Sequence, residues 1–351
     1  MTRNNITAKI SGLGLLAALA LASCNKVEPV PVEAPLIPIA TESLDAYKAQ
    51  MFARPISLGI LNGWQATNGV MLMSTPDSLD VVVVKGVSGE LSPAMAEDLK
   101  NVQTIKRTAV LLAADLASID DAATKELKKL TAARRKALMA TWTEDNMPDL
   151  ETQTQLIAEV EEKAAQEMAT KTLAKENAAV TSAINLLNDA GFDGLYIKLP
   201  ASFGVITKEN AKADLQKLLA ATDRAGKYLA VATPFEEARA EIEQATWIIY
   251  DHKTIEKRIG DITAEAALWP NCRYLPMVDL GDNTNAKGFI DSKVFSPEGP
   301  ANRIAETITW MAPNRAGVAF DHIEKVAVYN ENQKTTYVDL KNYINQVALT
   351  K

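Results

Sequence analysis

Cysteine is almost absent from this 351-residue sequence, which contains only Cys24 and Cys272. Two cysteines so far apart give no disulfide framework and no ligand spacing typical of a zinc site. Histidine is equally scarce, since His252 and His322 are the only two. We therefore expect no metal centre and no cofactor, and we expect Cys272 to be a buried thiol.

Positive charge is also in short supply, with 37 Lys and Arg against 44 Asp and Glu and a formal net charge of −7. Proteins that bind nucleic acid neutralise phosphates with a basic stripe or patch. The compact basic groups here are Lys128-Lys129 and Arg134-Arg135-Lys136, which lie in a helical pattern and are typical of a solvated helix face. Nucleic acid is therefore excluded as a partner. The 47% of apolar residues suffices for a large core.

The first 23 residues have the pattern of a cleavable secretion signal. Arg3 and Lys9 precede an apolar run over 13–21 that is too short to span a bilayer, and no acid lies among them. The sequence Leu21-Ala22-Ser23-Cys24 resembles the lipobox that lipoprotein signal peptidase reads. This resemblance implies that Cys24 becomes the lipidated N-terminus, although an ordinary signal peptide cut elsewhere remains the alternative.

Residues 24–43 are rich in proline, with Pro29, Pro31, Pro35 and Pro38. Such spacing prevents a helix and favours an extended, semi-rigid chain. We expect a tether that leads from lipidated Cys24 to a folded domain over 44–351. The predicted location is the cell envelope, with the outer membrane favoured because Asn25 is not the Asp of inner-membrane retention. The membrane face that carries the lipid stays open.

Short apolar runs alternate with amphipathic helical stretches over the rest of the chain. Eight apolar runs are visible, at 56–61, 79–84, 109–114, 194–199, 228–232, 247–250, 274–278 and 317–320. Helical candidates between them lie at 93–104, 125–188, 209–225, 235–244, 254–259 and 301–311. This alternation predicts an α/β fold with a parallel sheet covered by helices. Eight units over some 300 residues predict a single (β/α)8 TIM barrel.

The stretch between the third and fourth runs is too long for an ordinary barrel connection. It is rich in Ala, Glu and Lys, and Met147-Pro148 should divide it into at least two helices. We expect a helical insertion over 125–188, which is either a helical face without a function of its own or an arm that binds a partner. By composition, 281–300 is expected to be a loop after the seventh strand.

One segment carries a family resemblance. Gly191-Phe192-Asp193-Gly194 precedes the fourth run, and this segment resembles the fourth strand of glycoside hydrolase family 18. The order of the runs is similar to lipoproteins of polysaccharide-utilisation systems related to endo-β-N-acetylglucosaminidases. The resemblance implies a TIM barrel with a sugar-binding cleft at the carboxyl ends of its strands.

The sequence departs from that family at the catalytic positions. The family motif is Asp-Gly-x-Asp-x-Asp-x-Glu, whose Glu protonates the glycosidic oxygen and whose neighbouring Asp orients the N-acetyl group. Here Asp193 and Gly194 remain, whereas Tyr196, Lys198 and Pro200 occupy the later Asp, Asp and Glu positions. Positioned acid catalysis is commonly worth about 10²–10⁴-fold in rate. The motif is therefore degenerate, and we expect no catalytic residue in it.

Sugar binding requires aromatic faces and short polar groups rather than an acid. The candidates are those that follow predicted strands, where the mouth of a barrel lies: Asn62, Trp64, Tyr250, His252, Asp279, Asp321, His322 and Glu324.

Alternatives accompany several of these candidates. Trp64 either stacks on a sugar or packs beneath a loop, and Tyr250 looks like the family's substrate-contacting tyrosine. Alternation from Asp321 to Glu324 predicts that residues 321 and 323 point one way and that residues 322 and 324 point the other. Tyr196 and Lys198 share an inward face, where Lys198 needs a carboxylate partner or contacts a ligand.

These patterns predict an inactive family 18-like barrel that acts as a membrane-anchored glycan-binding lipoprotein. The expected ligand is an oligosaccharide, N-glycan or GlcNAc-containing, and neighbouring glycan-import proteins are further candidate partners. Two alternatives remain open. One is an active endo-β-N-acetylglucosaminidase or chitinase-like hydrolase with a relocated acid such as Asp279 or Glu324, and the other is an envelope scaffold that binds proteins through its long helices.

Overall fold

A computed structural model describes residues 41–66, 70–250, 258–281, 295–296, 299–300 and 303–350. The chain divides into Met1–Ser43 and Leu44–Lys351, and the architecture below is that of the second unit. Among the described residues, no helix is both long enough and apolar enough to cross a membrane.

Eight parallel strands close into a barrel, as the apolar runs predict. The strands are β1 (Ile56–Asn62), β2 (Val81–Lys85), β3 (Ala109–Asp115), β4 (Gly194–Lys198), β5 (Tyr228–Ala232), β6 (Trp247–Tyr250), β7 (Tyr274–Asp279) and β8 (Gly317–Asp321). Each strand pairs with its sequence neighbours, and β1 pairs with β8 to close the ring. A two-stranded antiparallel ribbon, Phe295–Ser296 with Gly299–Pro300, lies between β7 and β8 in the chain. The prediction of a single TIM barrel is confirmed.

Nine α-helices lie in the described part of the chain. They are α1 (Thr41–Ala49), α2 (Pro93–Ile105), α3 (Leu116–Met139), α4 (Leu150–Asp189), α5 (Lys208–Ala225), α6 (Arg239–Ile242), α7 (Ile259–Leu268), α8 (Arg303–Thr309) and α9 (Val338–Leu349). Short 3₁₀ helices occupy Leu72–Ser74, Glu236–Ala238 and Ile323–Val326.

The long insertion between the third and fourth strands is a pair of helices, α3 and α4, as Met147-Pro148 predicts. At 1.5 Å per residue, the 40 residues of α4 span roughly 60 Å. Asp115 and Asp149 cap the two helices by accepting hydrogen bonds from the amides of Ser118 and Thr152, at 2.9 and 2.7 Å. The C-terminal part of α4 buries Val180, where it packs on the barrel.

One helical prediction needs correction. The segment 235–244 forms only a 3₁₀ turn and the four-residue α6, and the next described helix is α7, ten residues over Ile259–Leu268. The helical candidate at 254–259 falls mainly outside the described residues. The loop predicted for 281–300 also lies largely outside them.

Alternation along the strands divides the apolar core in two. Ile56, Leu58 and Ile60 of β1 point into the barrel, where they meet Tyr196, Trp247 and Met277. The outward residues pack beneath the helices in a second, larger cluster that includes buried Cys272. Burial raises the pKa of the Cys272 thiol to about 11, so it is an inert core residue, as expected.

The amino-terminal end of the barrel is closed by α1 and the turn that follows it. Met51 enters the interior cluster, and Phe52 stacks on Trp247 with ring centroids 5.9 Å apart. Arg54 forms two hydrogen bonds with buried Asp80, at 2.6 and 3.0 Å. Because this end is sealed, the open end of the barrel is the carboxyl end of the strands.

Candidate functional site

Polar side chains line the carboxyl end of the barrel, which we call the mouth. Residues two apart share a face of a strand, so the inward pattern of each strand ends on a defined side chain. These side chains are Asn62 on β1, Lys85 on β2, Asp115 on β3, Lys198 on β4, Asp279 on β7 and Asp321 on β8. Register places Asn62 beside Lys85, Asp115 beside Lys198, and Asp321 beside Asp279.

Opposite charges meet on the β2–β4 side of the mouth. Lys85 Nζ lies 3.0 Å from Asp115 Oδ2, and the charge of Lys198 also acts on Asp115. Burial alone would raise the pKa of Asp115, but Lys85, the Ser118 amide and Lys198 outweigh it and lower that pKa below its ordinary value. Lys198 therefore lies beside a carboxylate, as a lysine inside a barrel requires.

Glu324 reaches the mouth from the 3₁₀ helix that follows β8. Its carboxylate accepts a hydrogen bond from the Asn62 amide at 3.1 Å and from Asn62 Nδ2 at 3.4 Å. This contact joins the first and last strands of the barrel at their open end. Glu324 acts as an acceptor here, which a carboxylate does best when it is ionised.

A cluster of two carboxylates and one imidazole lies on the β7–β8 side. Asp279 Oδ1 is 2.6 Å from His322 Nδ1 and accepts the Gly281 amide at 2.9 Å, and Asp321 Oδ2 is 3.6 Å from the same ring nitrogen. His322 has a left-handed backbone, with φ of 55°, which returns its ring towards Asp279. Asp321 is only 2% exposed, so this cluster forms the deepest polar part of the mouth.

The donor atoms of Asp279, Asp321 and His322 all lie within 4.8 Å of one another. Carboxylate and imidazole groups are ligand types that divalent metals use. The expectation of no metal rested on the lack of a third partner for the histidines, and that reason is wrong because the strand ends supply two carboxylates. A metal here would have to replace the bond that joins His322 to Asp279.

The alternation predicted from Asp321 to Glu324 is wrong. The strand ends at Asp321, His322 adopts the left-handed conformation, and Ile323–Val326 is a 3₁₀ helix. As a result, the His322 ring lies beside the carboxyl groups of both Asp279 and Asp321, while Ile323 is buried and Glu324 accepts hydrogen bonds from Asn62.

Trp64 is a packing residue, so its prediction as a stacking platform is wrong. It is 3% exposed, and its indole Nε1 donates a hydrogen bond to Asp98 Oδ2 at 2.8 Å. Asp98 also accepts the amides of Leu72 and Met73, at 2.7 and 3.0 Å. Trp64 therefore fixes the β1–β2 connection against α2, and no face of its ring is open to a sugar.

Tyr250 does not face the mouth either, and its prediction as a sugar contact is wrong. Trp247 and Ile249 point into the barrel, so Tyr250 points outwards, where it is 5% exposed and its ring lies 6.4 Å from that of Tyr274. The outward direction of Tyr250 could have been predicted from the sequence by strict alternation from Trp247. His252 lies outside the described residues.

The retained part of the family 18-like motif is structural. Asp193 Oδ2 accepts hydrogen bonds from the Val110 amide and from Gln103 Nε2, both at 2.8 Å, at the amino-terminal end of β4. Burial raises the pKa of Asp193. A Cβ on Gly194 would lie 2.2 Å from the Tyr228 carbonyl oxygen, so only glycine fits.

The altered positions of the motif lie along β4 and just beyond its open end. Tyr196 is buried in the barrel interior, Lys198 ends the strand, and Pro200 is buried just beyond it. The prediction that Tyr196 and Lys198 share the inward face agrees with this arrangement. No carboxylate belongs to β4 at its open end.

Sequence reasoning missed Lys85 and Asp115 as mouth residues. Alternation along β2 and β3 carries the signal for Lys85 and Asp115. Phe203 and Phe235 follow β4 and β5, and their half-buried rings meet edge to face with centroids 5.1 Å apart. Only the fold brings these two loops together.

Asp120 on α3 holds the loop that carries Phe203. Its carboxylate accepts the amides of Gly204, Val205 and Ile206 at 2.8, 2.7 and 2.6 Å. A Cβ on Gly204 would lie 2.1 Å from Thr124 Oγ1, so the loop approaches α3 closely. The insertion therefore positions one side of the mouth.

Neither protein-family profiles nor the sequences of curated proteins match the chain. Solved structures do match. The Bacteroides protein BT1044, solved as a Glu-to-Gln variant, is 19% identical with a TM-score of 0.55, over 89% of this chain and 95% of that one.

An endo-β-N-acetylglucosaminidase from Cordyceps militaris is 14% identical with a TM-score of 0.52, over 88% of this chain and 95% of that one. A double variant of it in complex with fucosyl-N-acetylglucosamine-Asn is 13% identical with a TM-score of 0.52, over 88% and 96%. At identities this low, the comparison shows a shared backbone fold and does not show a shared site. The chain thus has the barrel fold of these endo-β-N-acetylglucosaminidase structures, which is the fold that its resemblance to glycoside hydrolase family 18 predicts.

Proposed function

We propose that this chain is a membrane-anchored lipoprotein that binds GlcNAc-containing oligosaccharides at the mouth of its barrel without cleaving them. The proposal joins the lipobox-like N-terminus and proline-rich tether of the sequence to the polar mouth of the fold. The ligand class comes from the fold shared with endo-β-N-acetylglucosaminidases, one of them solved with fucosyl-N-acetylglucosamine-Asn.

The observation that carries the proposal is the pair Lys198 and Pro200 at the open end of β4. Glycosidases of most types need a carboxyl group that donates its proton to the scissile oxygen. Pro200 has no proton to give, and Lys198 brings a positive charge close to where a positively charged intermediate would form. Asp115, which pairs with Lys85 at 3.0 Å, is the strand neighbour of Lys198 and places a carboxylate beside it.

The mouth nevertheless keeps groups that suit sugar binding. Asn62, Asp279 and His322 offer both donors and acceptors for ring hydroxyls. Phe203 and Phe235 offer half-buried rings in the connections that follow β4 and β5, and aromatic rings pack on the apolar faces of sugars. A site of this kind holds a ligand by hydrogen bonds and contact area rather than by reaction with it.

Calorimetry together with product analysis tests the proposal. The purified protein should bind N-glycan cores or chitin-type oligosaccharides with a free energy of about −4 to −8 kcal/mol, which corresponds to a millimolar to micromolar Kd. The recovered oligosaccharide should be intact after prolonged incubation. Absence of binding to every GlcNAc-containing ligand would contradict the proposal.

The Asp279–His322–Asp321 cluster favours a second candidate function, a hydrolase with a relocated acid. Retaining glycosidases use two neighbouring carboxyl groups, about 5–5.5 Å apart, and one carboxylate oxygen each of Asp279 and Asp321 lie within 4.8 Å of each other. This candidate predicts new reducing ends that disappear in Asp279→Asn or Asp321→Asn variants. Reducing ends that persist in both variants would exclude the cluster as their source.

A further inference from the structure

A groove runs along the flank of the barrel, outside the mouth. One wall is formed by α4 from Asn177 onwards, and the other by Leu91 and its neighbours in the β2–α2 connection. The groove has a volume of about 940 Å³, which is within the size range of ligand sites. At 1.5 Å per residue, the wall on α4 is roughly 20 Å long.

A second cavity adjoins this groove. It has a volume of about 530 Å³ and shares Ala178 and Ser182 with the groove. Its lining also includes Asp115, the partner of Lys85 in the mouth. Shared residues therefore give a continuity of lining from the mouth through the second cavity to the groove.

The wall on α4 is rich in uncharged hydrogen-bonding groups. Asn177, Thr181 and Asn185 follow at intervals of four residues, so they lie on one face of the helix, and Ser182 lies beside them. Amides and hydroxyls both donate and accept hydrogen bonds. Aliphatic side chains complete the lining, and its charged members are acidic. The aliphatic members are Leu91, Ala96, Ala178, Leu186 and Ala190, and the acidic members are Glu90 and Asp189.

This lining selects against some ligands. With no lysine or arginine in it, the groove does not suit phosphate groups or other anions. A sugar chain has hydroxyls that donate and accept, and C–H faces that pack on aliphatic side chains. An uncharged oligosaccharide therefore matches both halves of the lining, and the continuity with the mouth supplies a path for it.

We propose that the groove between α4 and the β2–α2 connection is an extension of the mouth site and binds the part of a long, uncharged oligosaccharide that projects past Asp115. The inference rests on the proposed function, since the mouth must bind the sugar first. It predicts in addition that the affinity of the protein for an oligosaccharide increases with the length of the oligosaccharide. Short ligands fill the mouth, and longer ones also lie along α4.

Titration of the full-length protein with chitin-type oligosaccharides of increasing length tests the inference. We expect the affinity for the longest ligand to exceed that for the shortest by at least about tenfold, which is one further 1.4 kcal/mol of binding. Ser182→Trp fills the groove and should abolish this increase while the shortest ligand binds as before. Ala169→Trp, at an exposed position of α4 that lines neither cavity, is the matched control and should keep the increase.

Asn185→Ala provides a second test that does not depend on a bulky substitution. The exposed side chain of Asn185 is removed with little risk to folding, and the variant should lose severalfold affinity for long ligands only. If short ligands bind and chain length has no effect, or if Ser182→Trp weakens all ligands equally, the groove inference is wrong and the proposed function stands. If no oligosaccharide of any length binds, the proposed function itself fails.

Discussion

At the scale of the residue, the mouth is defined by which side chain ends each strand on its inward face. His322 is the most exposed member of the β7–β8 cluster at 30%, Asp321 is only 2% exposed, and the carboxylate that a ligand can reach is that of Asp279, whose side chain is 18% exposed. This carboxylate is positioned by the Gly281 amide and the His322 ring. A ligand in the mouth should therefore meet a preformed acceptor there.

The Asp279→Asn variant should bind oligosaccharide about tenfold more weakly, since a hydrogen bond to a charged group is worth roughly 1.5–3 kcal/mol. Calorimetry of the variant and the wild type measures the loss. Asp121→Asn, at an exposed position on α3, is the matched control and should bind as the wild type does. Equal binding by Asp279→Asn would remove this cluster from the site.

Trp64→Phe should change stability and leave binding alone. The substitution removes the hydrogen bond from the indole to Asp98 and should lower the free energy of unfolding by about 1–3 kcal/mol. Denaturant unfolding measures this, with Trp142→Phe on the α3–α4 connection as a control of near-wild-type stability. A large loss of oligosaccharide affinity in a stable Trp64→Phe protein would restore the stacking interpretation.

At the scale of the element, α4 combines three roles. It pairs with α3, covers the barrel with its C-terminal part, and forms the wall of the groove. It also buries Glu176, which is 0% exposed and faces Asp214 of α5. Asp214 binds Lys217 Nζ at 2.7 Å, and Asp120 of α3 adds a further negative charge to this junction.

Burial and then the neighbouring Asp214 raise the pKa of Glu176 to about 8. The folded protein therefore holds this proton between about pH 4.5 and 8, whereas the unfolded chain releases it, so the free energy of unfolding should fall as the pH rises through this window. Glu176→Gln should remove that slope and stabilise the protein at pH 8 by roughly 1–3 kcal/mol.

Unfolding at several pH values checks this prediction. Glu162→Gln, at an exposed position of the same helix, should retain the wild-type slope. An unchanged slope in Glu176→Gln would mean that Glu176 is ionised in the folded protein and that its charge is compensated at the junction.

The elements differ in how far the sequence determines them. Apolar runs predict all eight barrel strands, and Met147-Pro148 predicts the break between α3 and α4, because both signals are local. The left-handed turn at His322 has no such local signal, and it changes which side chains meet. Tyr250 fails as a site residue because alternation from Trp247 turns it outwards, and Trp64 fails because a position beyond the end of a strand does not specify the direction of a side chain.

At the scale of the whole molecule, the proposed function requires a membrane anchor and a barrel that is closed at its amino-terminal end, which we call the floor, and open at its mouth. The anchor rests on the sequence of residues 1–43. The floor is closed by Met51 and Phe52, so a ligand can enter only at the carboxyl ends of the strands. The anchor that the sequence predicts and Pro200 in the acid position would together suit a protein that holds a glycan.

Substitution of Cys24 tests the anchor. Cys24→Ser removes the thiol that would carry the lipid and should move the protein from the membrane fraction to the soluble fraction of its host cell. Cys272→Ser, in the core, is the control and should stay with the membrane. A Cys24→Ser protein that remains in the membrane fraction would contradict lipidation at this position.

The central claim is that the barrel mouth binds a GlcNAc-containing oligosaccharide and leaves it intact. One experiment measures both parts, namely incubation of the purified protein with such an oligosaccharide, followed by calorimetry for binding and chromatography for products. The account predicts saturable binding that Asp279→Asn weakens, with a single, unchanged oligosaccharide recovered. Shortened products that vanish when one mouth carboxylate is replaced would contradict it.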